Sequence, residues 1–169
     1  MPLTPFHGLA VFFLYFKNKR RIDPLALLAS ATFIDLEPLY YILIREPLDH
    51  QIWHGFALAL TIYPVLIAVT VYSVERLFEN KVWSTYTTLR LKPPKVKYSL
   101  LSIYLCCLFG GFSHIFSDMF THESMPYVIY PAVFGNPFYI GQASGIVELT
   151  VVALTLYSVF CWSKTQKLD

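Results

Sequence analysis

Charge is what this 169-residue chain has least of: 14% of its residues are Asp, Glu, Lys or Arg, against about 25% in an ordinary soluble domain. The shortage is uneven. Between Tyr98 and Trp162 the only charged side chains are Asp118, Glu123 and Glu148. That stretch excludes a water-soluble globule, and 56% hydrophobic with 17% aromatic content excludes a disordered chain. A net charge of +2 gives no basis for nucleic-acid binding. Cysteine is also scarce. Cys106, Cys107 and Cys161 lie inside apolar runs, without CxxC or Cys/His zinc spacing, and read as small buried hydrophobes. The first apolar run follows Met-Pro-Leu-Thr-Pro rather than basic residues, so no secretory signal peptide is expected.

What is present points to one polytopic membrane domain over residues 1–169. A helix needs about 20 mostly apolar residues to cross the hydrocarbon core. His54 to Val74, Tyr98 to Phe120 and Gly141 to Trp162 meet that length. Pro24 to Ile44 meets it but is interrupted by Asp35, Glu37 and Pro38, and Phe6 to Phe16 falls short. The expected fold is all-α: four to five transmembrane or half-membrane helices in an antiparallel bundle. Residues 75–97 read as a basic loop. Residues 121–140, with Pro126, Pro131, Pro137 and Gly135, read as a Pro-rich loop folded over a cavity. Gly141 with Gly145, and Ser113 with Ser117, are small-residue pairs that would let helices approach closely.

Sorting the cations by connection gives an orientation. Alternating segments put Lys17, Lys19, Arg20, Arg21, Arg76, Lys81, Arg90, Lys92, Lys95, Lys97, Lys164 and Lys167 on one side, which is 12 of the 13 basic residues. Only Arg45 lies opposite. Positive charge favours the cytoplasm, so the expectation is a multi-pass plasma-membrane protein with cytoplasmic basic loops. The five histidines then all fall toward the outer side.

Ionisable groups within membrane helices each cost about 2.5–3.5 kcal/mol on insertion scales, so those retained need partners or a use. His114 and Asp118 are four residues apart, on one helix face and about 6 Å apart along the axis. His50 and His54 share that spacing at the mouth of the third segment. Asp35 and Glu37 would point about 200° apart on an unbroken helix. Pro38 is expected to break that helix and turn both acids toward one cavity, within reach of His7. Imidazole and carboxylate without thiolate suit zinc first, then manganese or iron. The metal-ligand set read here is His7, Asp35, His50, His54, His114 and Asp118. His122 and Glu123 read as exposed loop residues. Glu148 reads as a supporting acid, a protonated acid bonded to a neighbouring helix, or a gate.

These residues carry a resemblance. Gly111, Ser113-His114, Asp118 and Thr121, followed by Met125-Pro126 and Tyr130-Pro131, resemble the pattern of the YdjM-like family of membrane-bound metal-dependent hydrolases. His7-Gly8, Asp35-Leu36-Glu37-Pro38 and His50 with His54 resemble its other motifs in the same order. Departures are Gln51, where the family often has Arg, and His122, where it usually has Gly. That family is distantly similar to the helical zinc-dependent phospholipases C.

The resemblance implies His7, Asp35, His50 or His54, His114 and Asp118 as zinc ligands, with Glu37 a ligand or a base. The function expected is hydrolysis of a phosphoester or other ester of a lipid-like substrate by a metal-activated water. Asp35 and Glu37 would be the catalytic acids, and Ser113, Thr121 and Glu148 would support the ligands. Membrane lipid is the expected partner, with other membrane subunits possible. Two alternatives are a non-catalytic membrane subunit with a structural metal, and a small transporter using Asp35, Glu37 and Glu148. No internal inverted repeat supports the last.

Overall fold

The computed structural model describes residues 5–46, 50–91 and 97–166, and among these the chain is helical with no strand. Lys92, Lys95 and Lys167 of the sequence argument lie outside the described residues. Four helical stretches, Pro24–Leu43, Phe56–Leu77, Leu100–Thr121 and Gly141–Gln166, are long and apolar enough to cross a membrane. Large apolar side chains cover their outer faces: Leu149 is 71% and Leu156 64% exposed. A patch of that extent marks a surface that meets something other than water.

Helix α1 (Pro5–Lys17), at 13 residues or about 20 Å, is apolar but shorter than these four stretches. It packs on α8 (Ser144–Gln166) along its length. Asp23 caps α2 (Pro24–Thr32) by accepting a hydrogen bond from the Ala26 N–H at 3.0 Å, and Pro24 opens its first turn. The second stretch then bends, but not at Pro38. A 3-10 turn over Phe33–Asp35 makes the break, and α3 (Leu36–Leu43) restarts beyond it. Pro38 becomes the third residue of the new helix, where its missing N–H would have had no partner in any case. Glu37 is therefore helical, contrary to the sequence expectation.

The third stretch is also broken. His54 ends a 3-10 turn (Ile52–His54), α4 (Phe56–Ala59) follows, and α5 (Ile62–Leu77) is the long element. Residues 75–97 are not simply a loop, because α6 (Glu79–Thr88) lies within them. Helix α7 (Leu100–Thr121) runs 22 residues through the middle of the bundle, with α2 on one side and α5 on another. At Gly110 it lies close against α2. A Cβ there would sit 2.0 Å from Ser30 Oγ and 3.0 Å from the Leu27 carbonyl oxygen. The pair expected to do this, Gly141 and Gly145, faces open space. Ser113 and Ser117 bond back to their own helix, through the carbonyls of Gly110 and Ser113.

The helix ends sort into two poles. At one, Arg76 donates to the Tyr98 carbonyl, Tyr98 to the Lys19 carbonyl, and Trp162 to the Leu89 carbonyl. That basic pole also buries Asp23, which faces Glu75. The Glu75 carboxylate accepts from the Tyr86 hydroxyl at 3.1 Å. At the other pole stand all five histidines. Over it, Met125 and Val128 of the Pro-rich segment are buried against Ile34, Tyr63 and Ile115. Phe56 N–H donates to the Val128 carbonyl, and Gly55 is needed there because a Cβ would meet the Tyr127 carbonyl at 2.5 Å.

Candidate metal centre

Three separate stretches of chain deliver ligand-type groups to one buried point. The 3-10 turn after α2 presents Asp35, the turn before α4 presents His54, and successive turns of α7 present His114 and Asp118. One ligand atom from each lies within 4.8 Å of the other three. Asp35 Oδ1 is 3.3 Å from His54 Nε2 and 3.2 Å from His114 Nε2. Asp118 Oδ2 is 2.9 Å from His114 Nε2, and its Oδ1 is 3.3 Å from His7 Nε2.

The ring orientations are fixed from behind. His114 Nδ1–H donates to the Ala31 carbonyl at 2.8 Å, which turns Nε2 toward the centre. That nitrogen faces two carboxylates, yet neither approach has hydrogen-bond geometry. His114 Nε2 and Asp118 Oδ1 are both buried without a hydrogen-bond partner among the described residues. With its imidazole neutral, such a site sets acceptor against acceptor, and a bound cation or a proton on Nε2 relieves the repulsion. His54 Nδ1 is held at 2.8 Å by Glu37 Oε2, while Glu37 Oε1 accepts from the Trp53 N–H at 3.3 Å. A carboxylate or carbonyl behind each imidazole is the usual backing of a metal-ligating histidine. The donor set, two imidazoles and two carboxylates, fits a divalent metal of the zinc, manganese or iron type.

A second group adjoins the first. His50, His122 and Asp118 bring ligand atoms within the same 4.8 Å limit, so Asp118 belongs to both sets. His122 Nε2 is 3.7 Å from Asp118 Oδ1, and its ring stacks on His50 with centroids 4.4 Å apart. Burial, together with the neighbouring His54 and His122, holds the His50 imidazole down at about 3. Burial also lowers His122. Both rings are thereby neutral at physiological pH, the form that binds metal.

All six residues read from the sequence as metal ligands gather here, though His50 and His54 do so from irregular backbone rather than one helix face. Their rings are 4.5 Å apart. Glu37 reaches the centre by holding His54. Thr121 and Ser113 spend their hydroxyls on carbonyls of α7, and no hydrogen bond or ion pair joins Glu148 to the cluster among the described residues. His122 was the residue missed. It continues the four-residue step of His114 and Asp118, but it sits just past the end of α7 in extended backbone. Glu123 beside it is exposed, as expected. The three cysteines are free; Cys106 and Cys107 are buried in the apolar core toward the basic pole.

No curated protein and no solved structure matches the chain. A family described as a domain of unknown function, DUF4184, matches residues 1–165, nearly the whole length, and the chain belongs to that family.

Proposed function

We propose that this protein is an integral-membrane, metal-dependent hydrolase that cleaves a phosphoester or other ester of a lipid-like substrate. Four helices cross the plasma membrane in this reading, with the basic pole in the cytoplasm and the histidine pole toward the outer side. The observation that carries it is His114 Nε2, buried and without a hydrogen bond between the carboxylates of Asp35 and Asp118. The order of motifs shared with the YdjM-like hydrolases supports the same chemistry.

Asp35, His54, His114 and Asp118 would hold one ion. His50 and His122 would hold a second with Asp118, and His7 adds a nitrogen beside the Asp118 carboxylate. Zinc suits the donors best, with manganese or iron next. A metal there supplies Lewis acidity toward the ester oxygen and lowers the pKa of a water. The chain's own residues do the rest. Glu37 and the Ala31 carbonyl orient the rings of His54 and His114. Asp35, at 14% exposure against 2% for Asp118, is the carboxylate that substrate and water can reach. In this reading it orients the attacking water and takes its proton. That opening favours catalysis over a purely structural site, which would be closed.

The test is hydrolysis of fluorogenic lipid esters and phosphoesters by purified, metal-loaded protein. Activity that disappears in His114→Ala and Asp118→Ala and with chelator is the expected result. Metal-loaded wild type that cleaves neither class would overturn the hydrolase reading.

A further inference from the structure

An apolar groove on the side of the bundle borders the metal centre, with Glu37 between the two. It has a volume of about 460 Å³ and lies between α3 and α5, with Leu36, Tyr40, Trp53, Tyr63 and Leu66 on its walls. That is within the range of small-molecule sites, about 300–1,000 Å³. Glu37 is the one charged side chain among its lining residues. The same carboxylate holds His54 at 2.8 Å, and His54 is 3.3 Å from Asp35. The groove and the centre therefore share a wall.

Its open side faces outward from the helices. Leu36 is 55%, Tyr40 58% and Leu66 51% exposed, all on helical stretches apolar enough to lie in lipid. A water-soluble ester would gain nothing from such walls and would have to cross an apolar surface to reach them. A hydrocarbon chain gains on every CH₂ it buries, by about 0.8 kcal/mol in transfer terms. Its polar linkage would then come to rest beside Glu37, with His54 between it and Asp35.

We infer that this groove takes one acyl chain of a membrane lipid, entering laterally between α3 and α5, with the linkage to be cleaved held at the Glu37 edge. The inference deepens the hydrolase reading and rests on it for the fate of the linkage. It restricts the substrate to lipids from which one long chain can leave the bilayer sideways.

The full-length protein reconstituted in phosphatidylcholine vesicles, with a trace of phosphatidylcholine carrying a diazirine near the acyl terminus, tests the groove without an activity readout. After illumination, adducts should map to Tyr40, Tyr63 and Leu66. Excess unlabelled lysophosphatidylcholine should displace those adducts but not adducts at the plainly exposed Leu149 and Leu156. Leu66→Trp, which fills the groove from its exposed side, should lose the competable adducts while keeping wild-type metal content. Adducts that no competitor displaces, or competable adducts only in the cleft behind His7 at Phe112, Phe116 and Ile146, would overturn the inference even if the tryptophan variant did not fold. Competable groove adducts on a protein that binds no metal would support the lipid site and sink the hydrolase reading separately.

Discussion

His114 Nε2 and Asp118 Oδ2 stand 2.9 Å apart, one turn from each other on α7, and share no hydrogen bond, while the far side of the imidazole is tied to the Ala31 carbonyl on α2. The pair is held in place by a neighbouring helix yet left unsatisfied toward the centre. Asp35 completes the arrangement from the turn that follows α2. Removing bound metal should therefore cost stability. A site half-occupied at one-hundredth of the working metal concentration stabilises the fold by about 2.7 kcal/mol. Thermal unfolding in detergent, followed with and without 1,10-phenanthroline, should show a lower midpoint in the chelated protein that added zinc restores.

Among the described residues, Glu37 touches the centre only through His54. Loss of such a backing group costs metal affinity about 10–100-fold. Glu37→Ala should weaken binding by that factor in a competition titration with a chromophoric chelator. His54→Ala should weaken it further. Equal losses in both variants would make Glu37 a direct ligand.

Packing between α2 and α7 positions the Ala31 carbonyl, and Gly110 is where those helices meet. Gly110→Ala would force its Cβ against Ser30 and the α2 backbone, with overpacking of this kind costing about 1–3 kcal/mol. Gly145→Ala meets nothing within 4 Å and should be neutral or stabilising by up to about 1 kcal/mol. Thermal midpoints of the two variants, measured side by side, check the contrast.

Asp23 gives a pH dependence of definite sign. Burial, and the Glu75 carboxylate beside it, raise its carboxyl above the usual range. The folded protein thus keeps a proton that the unfolded chain has released. Its contribution to stability is full below the unfolded value of about 3.9 and is lost as pH rises through the raised folded value. Asn at this position keeps the acceptor for the Ala26 N–H and offers donors to Glu75. The difference in thermal midpoint between Asp23→Asn and wild type should therefore grow in favour of the variant as pH rises from 5 to 9. A difference that is flat with pH would contradict it.

Much of this centre was legible in the chain. Residues 98–120 and 141–162 were recognisable as helices because length and lack of charge suffice in that setting, and both are helical within a few residues. The four-residue step from His114 to Asp118 survives because α7 is regular there. Periodicity reports which residues share a face, but not which faces meet. That is why Gly141 and Gly145 looked like a contact and Gly110 did not. Pro38 looked like the break, although the 3-10 turn ahead of it made the proline harmless. His50 and His54 had the right spacing and the wrong backbone. His122 lay beyond a helix end, where a side chain's direction depends on the loop. Helix α6 carries too many polar residues to stand out beside the apolar stretches around it.

Metal content of the purified protein bears most directly on the centre. Wild-type protein extracted in mild detergent without chelator, and analysed by inductively coupled plasma mass spectrometry, should carry one or two equivalents of a divalent transition metal, zinc foremost. His114→Ala and Asp118→Ala, each with a monodisperse elution profile, should lose it. Wild type that is metal-free and fails to take up zinc, manganese or iron(II) on titration would contradict the metal centre and the hydrolase reading built on it.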